Sequence, residues 1–390
     1  MIRRPPRSTQ GVSSAASDVY KRQLLLLTSN SIGNRLVLTS FGESHGTCVG
    51  AVLDGCPAGL ELEEKDIQKM LDLRKPGQSL VSTQRKEDDQ VEILSGTFRG
   101  FTTGAPITMI IWNKDQNSKS YEKLRTEMRP GHSDYTAYVK YKKFNDFRGG
   151  GRFSGRLTAT HVMGGAIAKK LLKITLNVDT HSYTCQIGKV KMKKQATPNN
   201  FKSTYSNDVR CPEKDTAEKM KKDILAARKK GDSLGGIIES VTTNVPTGLG
   251  EPIFGSLESE LSKAMFSIPA VKGIEFGSGF AGSERFGSQN NDAYVYKNGK
   301  VITSSNNSGG ILGGISNGMP IIFRVAFKPA SSIAKIQNSV DIKKKSKIKM
   351  QVGGRHDPCV VPRAPPVVDS WVSLTLADYA LLSGKIKQVL

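Results

Sequence analysis

The chain has 390 residues, of which 37% are hydrophobic, and no apolar run approaches the roughly 20 residues that a membrane-spanning helix requires. Its five cysteines are scattered, odd in number and without CxxC spacing, which argues against a disulfide framework or a zinc site and favours a reducing compartment. The formal net charge of +22 suggests nucleic acid as a partner, but the lysine-rich stretches 189–194, 219–230 and 343–349 lack interleaved aromatic residues and are interpreted as solvated surface.

Residues 1–28 differ in composition from the rest of the chain. Residues 1–23 hold five basic side chains against one acidic one, are rich in serine and show no hydrophobic periodicity. A transit peptide would have part of this composition, but the abrupt junction favours a translated adapter or cloning scar. We therefore expect a disordered, non-native leader over 1–28 and a single domain over 29–390. The expected location is the cytoplasm, and only a genuine transit peptide would indicate a plastid.

Periodicity and turn residues predict a mixture of strands and helices. In chain order they predict strands over 35–41 and 49–53, a helix over 62–74, strands over 91–98 and 107–112, helices over 134–143, 157–172 and 213–228, a strand over 236–245, a helix over 255–266, strands over 271–276 and 320–327, and a helix over 368–382. Segment 282–308 is interpreted as a lid or a disordered loop, and 336–350 as a loop or an edge hairpin. Because no regular βαβ rhythm appears, the predicted fold class is α+β.

Three of the five histidines lie in short Gly/Pro frames, where a turn can present them to a ligand. They are His45, His132 and His356, and histidine is the usual proton carrier near neutral pH. In an extended segment Arg355 and Asp357 share one face while His356 points away, so we expect Arg355 and Asp357 to form the pocket pair. The other two histidines, His161 in a helix and His181 in a polar strand, are expected to be structural.

Two glycine-rich stretches are candidate anion sites. In 148–156 three consecutive glycines lie between arginines, and backbone N–H groups there can approach an anion. The predicted helix that follows adds an N-terminus of favourable polarity. Stretch 306–318 precedes a Lys-Pro-Ala-Ser-Ser sequence at 328–332 that suits a phosphate tail. Neither stretch matches a dinucleotide fingerprint or a P-loop, and structural turns remain the alternative.

Together these motifs resemble the chorismate synthase family over about 29–382. The matching stretches are 41–46, 93–106, 113–116, 129–136, 146–158, 231–236, 248–254, 270–277, 305–318, 327–333 and 354–366. The resemblance implies an α+β sandwich of antiparallel sheets flanked by helices, assembled as a homotetramer. It also implies a lyase that eliminates phosphate from 5-enolpyruvylshikimate 3-phosphate to give chorismate, with reduced FMN (FMNH2) as cofactor. A nucleic-acid-binding protein and an inactive family member are the alternatives.

The resemblance also implies roles for individual residues. His45 resembles the histidine that protonates reduced flavin, and His132 the one that protonates the departing phosphate. Asp357 resembles the carboxylate that removes the substrate proton together with the flavin, and Ser44 and Ser154 resemble assisting serines. The flavin-contacting matches are Arg152, Phe153, Ser154, Pro269, Ala270, Gly313, Lys328, Pro329, Ala330, Ser331, Ser332 and Arg355. The substrate-anion candidates are Arg74, Arg85, Arg129, Arg156 and Arg355.

The chain departs from the family pattern at four positions, Leu73, Leu80, Phe153 and Asn307. Arg74 matches a position assigned to a nicotinamide nucleotide, whereas Leu73 and Leu80 stand where basic residues are common. NADPH as a reductant for the flavin therefore stays open. None of the four departures falls on His45, His132 or Asp357.

Overall fold

The computed structural model describes residues 29–77, 81, 88–114, 119–353 and 356–390. The predicted leader and the candidate residues Arg85 and Arg355 lie outside this part of the chain. Within these ranges, no helix combines the length and the apolar character needed to cross a bilayer.

The strands are β1 (Ser31–Ile32), β2 (Val37–Gly42), β3 (Cys48–Asp54), β4 (Glu92–Ile93), β5 (Thr97–Phe98), β6 (Phe101–Thr102), β7 (Ile107–Trp112), β8 (Asp179–Ile187), β9 (Val190–Lys191), β10 (Gly236–Thr243), β11 (Val271–Phe276), β12 (Tyr294–Lys297), β13 (Lys300–Thr303), β14 (Ile311–Leu312), β15 (Ile315–Ser316), β16 (Ile321–Phe327), β17 (Gln337–Asp341) and β18 (Ser346–Met350). The α-helices are α1 (Glu64–Arg74), α2 (Asp134–Lys140), α3 (Thr158–Leu176), α4 (Lys214–Lys229), α5 (Leu257–Phe266), α6 (Gly287–Asn290) and α7 (Pro365–Leu382).

Two antiparallel sheets sandwich a pair of long helices. The first sheet has the order β1-β2-β3-β7-β4 and the second has the order β11-β16-β10-β8-β9. Helix α3 packs on β2 and β3, α7 packs on β8 and β10, and the two helices pack on each other. The α+β sandwich expected from the sequence is confirmed, and the structure adds that its longest helices lie between the sheets.

The residues of α3 and α7 explain this central position. Nearly every side chain of α7 is buried, as are the first eleven residues of α3, and α3 presents polar side chains such as Lys173 to solvent only toward its end. Helices that are apolar all round are buried ones. Two glycines allow the close approach: a Cβ on Gly164 would lie 2.5 Å from Leu38, and a Cβ on Gly165 would lie 2.1 Å from the Cβ of Ser370.

Replacing Gly165 with alanine is expected to lower the free energy of unfolding by at least about 1–3 kcal/mol, because the added methyl group pushes α3 away from α7. Alanine is otherwise the better helix former by about 1 kcal/mol, so the sign is informative. Urea unfolding measures the change. Gly287→Ala in α6 is the matched control, since no described atom lies within 4 Å of its added Cβ. A Gly165→Ala protein as stable as the parent would contradict this packing.

The start of the first sheet is fastened to the end of α7. Asp378, which is buried, accepts hydrogen bonds from the backbone N–H groups of Asn34, Arg35 and Leu36 at 2.9, 2.6 and 2.8 Å. One carboxylate thus holds the turn before β2, the strand that leads to His45.

Most predicted elements are present, but one strand prediction is wrong. The stretch 91–98 is interrupted: β4 joins the first sheet, whereas β5 turns into a short hairpin with β6. The reason is Gly96, whose φ is +87° and whose Cβ would lie 2.7 Å from the Cα of Ile107. The backbone bends there because only glycine tolerates this conformation and this approach.

Two loop predictions also need correction or refinement. Segment 282–308 is ordered, because Asp292 accepts hydrogen bonds from the backbone N–H groups of Asn307 and Ser308, and the segment contains α6 and the β12–β13 hairpin. For 336–350 the hairpin alternative is the observed one, formed by β17 and β18. Its lysines are exposed, as are most lysines of the other two lysine-rich stretches, which confirms the solvated-surface interpretation.

Candidate active site

A cavity of about 720 Å³ lies where several loops and helix ends meet. Its volume is within the usual range for small-molecule sites. The wall is built from the last residue of α1, segments 129–133 and 149–158, the end of α5 with the start of β11, the loop after β16, and the segment 356–367 that leads into α7. These segments are far apart in sequence, so the site depends on the whole sandwich.

Most of the residues singled out from the sequence line this cavity. They are Arg74, Arg129, His132, Arg152, Phe153, Ser154, Arg156, Pro269, Ala270, Lys328, Pro329, Ala330, Ser331, Ser332 and Asp357. Ser44 and His45 line a neighbouring cavity of about 150 Å³ instead, which shares Arg156 with the first.

The three consecutive glycines separate the two histidines. Gly149, Gly150 and Gly151 have φ values of +57°, +86° and +51°. A Cβ on Gly149 would lie 2.3 Å from the Cδ2 of His45, and a Cβ on Gly150 would lie 3.5 Å from the Nε2 of His132. The turn therefore lets one imidazole pack on each side of a backbone that has no side chains. His45 lies behind this turn, so it is close to the wall of the larger cavity but does not line it.

The glycine turn precedes helix α3, as expected from the sequence, with a short connection between them. Helix α3 begins at Thr158, after a short 3₁₀ turn over Gly155–Leu157. The Oγ of Ser154 accepts a hydrogen bond from the backbone N–H of Arg156, so it caps that 3₁₀ turn. The same Oγ donates to the Oγ of Ser44 at 3.1 Å, which links the two cavities by hydroxyl groups.

His132 belongs to a cluster with Arg129 and Asp134. Its Nδ1 lies 2.6 Å from the Oδ1 of Asp134, and the guanidinium of Arg129 donates to both oxygens of that carboxylate at 2.7 and 2.8 Å. Burial alone would raise the pKa of Asp134, but the hydrogen bonds from Arg129 and His132 outweigh it and hold that pKa well below its usual range. Asp134 was missed in the sequence, although it lies only two residues after His132.

Arg74 and Arg156 share a second carboxylate that sequence reasoning missed. Asp89 has a fully buried side chain, forms a short ion pair with Arg156, and lies 3.6 Å from the Nη1 of Arg74. Burial would raise the pKa of Asp89, yet the charges of the two arginines outweigh it and keep the pKa lowered. The carboxylate thus fixes two buried guanidinium groups in the cavity wall. Nothing in the local sequence distinguishes Asp89 from the neighbouring Asp88.

Asp357 is held by an arginine that the sequence reading did not single out. The Nη1 of Arg363 donates to the Oδ2 of Asp357 at 2.7 Å, and its Nε donates to the backbone carbonyl of Arg74 at 3.2 Å. Both Asp357 and Arg363 line the cavity. The expectation that His356 points away is wrong, because His356 lines the same cavity, with its Nε2 2.9 Å from the carbonyl of Gly353.

The guanidinium of Arg152 stabilises the strand that leads to His45. It donates to the carbonyls of Ser40 and Gly42 at 3.1 and 3.0 Å and to the Oδ1 of Asn30 at 2.9 Å. Burial lowers the pKa of Arg152. Its role in the geometry is to hold the end of β2 against the glycine turn.

The loop after β16 has the features of a phosphate-binding end. The Nζ of Lys328 donates to the carbonyl of Gly131 through a short contact, and the Oγ of Ser332 accepts from the Nη1 of Arg129 at 3.1 Å. The loop lies beside Ala270, whose φ is +73°, a conformation that non-glycine residues rarely adopt. Such backbone strain is concentrated at functional sites.

Among the flavin candidates that the structure describes, Gly313 is the one that does not line the cavity. It lies on the turn between β14 and β15, next to the start of α5, because the backbone N–H of Leu257 donates to the carbonyl of Gly314. Phe266, at the other end of α5, lines the cavity. The ten residues of α5 span roughly 15 Å, so Gly313 lies outside the wall of its own chain's cavity.

The two histidines expected to be structural are structural. His161 is buried in α3, accepts a hydrogen bond from the Nε1 of Trp371 at 3.1 Å, and has a pKa lowered to about 3 by burial. His181 stacks on Phe201 with ring centroids 4.6 Å apart and lies 3.3 Å from Asp179. Neither lines the cavity.

Comparison with known proteins gives the family. A sequence model of chorismate synthase matches residues 36–381. This chain belongs to the chorismate synthase family. The chorismate synthase of Korarchaeum cryptofilum is 52% identical over 351 residues, which cover 90% of this chain and 97% of that protein. That of one Dehalococcoides mccartyi strain is 49% identical over 362 residues, covering 93% and 99%. A crystal structure of a chorismate synthase matches with a TM-score of 0.71 at 31% identity, covering 90% of this chain and 93% of that one.

The family assignment gives the function that the motifs pointed to, an enzyme that synthesises chorismate in the shikimate pathway. It agrees with the cavity, where arginines and a lysine accompany an imidazole and a carboxylate.

Proposed function

We propose that the cavity converts 5-enolpyruvylshikimate 3-phosphate to chorismate and inorganic phosphate, with reduced FMN as cofactor. The observation that carries the proposal is one cavity wall that combines His132, Asp357 and buried arginines. The elimination removes a proton and a phosphate group from the substrate and leaves its overall oxidation state unchanged. It therefore needs an acid, a base and a site for several negative charges.

The two polar groups differ in the proton that each can handle. His132 is the acid for the departing phosphate, because an imidazolium can donate near neutral pH. Asp357 is the base, with its carboxylate oriented by Arg363 at 2.7 Å. Arg74 and Arg156 both contact Asp89 and lie in the cavity wall, where guanidinium groups can bind an anionic substrate.

The wall also fits a flavin nucleotide. Apolar side chains that could cover a ring system line one part of the cavity, namely Phe266, Ile268, Val271, Phe327 and Val360. Lys328, Ser331 and Ser332 supply a cation and hydroxyl donors for a phosphate group. Reduced FMN, when bound, supplies electron density to the reacting substrate. The hydroxyl link from Ser154 to Ser44 connects the cavity with the segment that carries His45.

The test is anaerobic incubation of the purified chain with chemically reduced FMN and 5-enolpyruvylshikimate 3-phosphate. Chorismate and inorganic phosphate are expected to form in equal amounts, and the control with oxidised FMN alone is expected to give neither. Absence of both products with reduced FMN would sink the proposal.

The source of electrons for the flavin is addressed by the same assay with oxidised FMN and NADPH. Arg74, the residue that matched a nicotinamide-nucleotide position, is only 1% exposed and lies against Asp89 in the cavity wall. We therefore expect no chorismate from NADPH and oxidised FMN, and a separate reductase in the cell.

We also propose a homotetramer, as the family resemblance implies. Several large apolar side chains are strongly exposed in the single chain, among them Phe254, Phe280, Phe286 and Tyr296. Exposed apolar patches support assembly. Light scattering coupled to gel filtration measures the molecular mass of the assembly.

The bacterial and archaeal relatives support a cytoplasmic location, which cell fractionation tests.

A further inference from the structure

Asp134 stands at the start of α2 and contacts both a proposed catalytic histidine and a proposed anion-binding arginine. Its side chain is 7% exposed, and those of Arg129 and His132 are 4% and 17% exposed. An ion pair this well shielded from solvent acts more strongly than a surface pair. The contacts define which nitrogen of His132 carries a fixed proton.

The Nδ1 of His132 has two neighbours that demand opposite proton states. It lies 2.6 Å from Asp134 Oδ1 and 3.1 Å from Arg129 Nη2. A guanidinium can only donate, whereas a carboxylate held ionised can only accept. An unprotonated Nδ1 would face the carboxylate oxygen lone pair to lone pair at 2.6 Å. The shorter contact therefore requires a protonated Nδ1, and Arg129 approaches because its Nη2 donates to the same oxygen.

A protonated Nδ1 leaves Nε2 as the nitrogen that gains and loses the working proton. That nitrogen is at the glycine turn, where a Cβ on Gly150 would lie 3.5 Å from it. Among the residues that the structure describes, the charged groups beside His132 are Asp134 and Arg129 on its own segment and Lys328 from the loop after β16. The glycine turn adds no charge, and His45 lies on its far side. Asp134 is thus the anion in direct contact with the ring, facing two cations.

We propose that Asp134 is a positioning residue for the elimination. It fixes His132 with Nδ1 protonated and leaves Nε2, which lies beside the glycine turn, to exchange the working proton. It also offsets the charge of Arg129, so that His132 can carry a positive charge beside the leaving phosphate. This rests on the acid role proposed for His132. Without the carboxylate, the positive charge of the Arg129 guanidinium, 3.1 Å away, would disfavour the imidazolium form of His132. The neutral ring would then carry its proton on Nε2, and its Nδ1 would accept a hydrogen bond from Arg129.

The experiment compares Asp134→Asn, Asp134→Glu and the parent enzyme in the reduced-FMN assay. Asp134→Asn is expected to lower kcat at least about 100-fold with KM changed only a few-fold, and to shift the alkaline limb of the kcat profile, where the general acid loses its proton, to lower pH. Asp134→Glu is expected to recover part of the rate, since a carboxylate remains. Asp179→Asn is the matched control, because it alters a remote Asp–His contact of 3.3 Å with His181, and its kcat is expected to equal that of the parent.

A second measurement does not need turnover. Nitrogen-15 spectra of histidine-labelled protein, assigned with His132→Gln, report the tautomer of His132. The parent is expected to show a protonated Nδ1, and Asp134→Asn is expected to lose this tautomer. If the parent enzyme were inactive in the assay, these spectra would still decide the positioning role. Unchanged His132 spectra in Asp134→Asn, or an unchanged kcat profile, would overturn the inference.

Discussion

Replacing His132 with alanine is expected to lower kcat by about 10²–10⁴-fold, the usual contribution of a general acid. The phosphate group would then leave without a proton donor at the cavity wall. Binding of FMN is expected to persist, because the groups proposed to hold its phosphate lie on another segment, the loop 328–332. Stopped assays with reduced FMN give kcat, and quenching of flavin fluorescence gives the affinity for FMN.

The control for this prediction is His181→Ala, which removes an imidazole outside the cavity wall. That ring stacks on Phe201 at a centroid distance of 4.6 Å, so its loss is expected to affect stability and not kcat. Unchanged turnover in His132→Ala would remove His132 from the acid role. Loss of FMN binding together with turnover would show that His132 supports the cavity wall instead.

Local elements could be predicted from the sequence because periodicity is itself local. The strand 320–327 and the helix 157–172 were located within a few residues at most boundaries, since buried side chains recur at fixed spacing in each. The prediction for 91–98 was wrong because one glycine, packed against Ile107, breaks a stretch whose composition is otherwise that of a strand. A contact across the sheet decided the outcome, and no local pattern records such a contact.

The candidate site could be predicted only in part, for the same reason. Residues in conspicuous motifs, such as His132 and the loop 328–332, were recognised and do meet in one cavity. Asp89, the carboxylate that contacts Arg74 and Arg156, was not recognised, because one of these arginines lies 67 positions away in the chain. Gly313 shows the converse: its motif suggested a place in the site, whereas α5 separates it from the cavity of its own chain.

Replacing Asp89 with asparagine is expected to lower the free energy of unfolding by about 3–5 kcal/mol, because it leaves two buried guanidinium charges without their carboxylate. The side chains of Arg74 and Arg156 are 1% and 6% exposed, so solvent cannot compensate. Urea unfolding measures the loss. In the control Asp232→Asn, an ion pair with Lys335 whose side chains are 39% and 49% exposed is broken, and a change below about 1 kcal/mol is expected.

The pH dependence and the response to phosphate separate this charge effect from a loss of packing. The pKa of Asp89 is lowered in the folded protein, so its contribution is present above the unfolded pKa of about 3.9 and is lost as pH falls through the folded value. The stability difference between parent and Asp89→Asn should therefore shrink below about pH 4.

The substitution also removes one negative charge from the cavity wall, so inorganic phosphate should raise the Tm of Asp89→Asn more than that of the parent. Equal stability at neutral pH, or a smaller response to phosphate in the variant, would mean that Asp89 does not balance the two arginines.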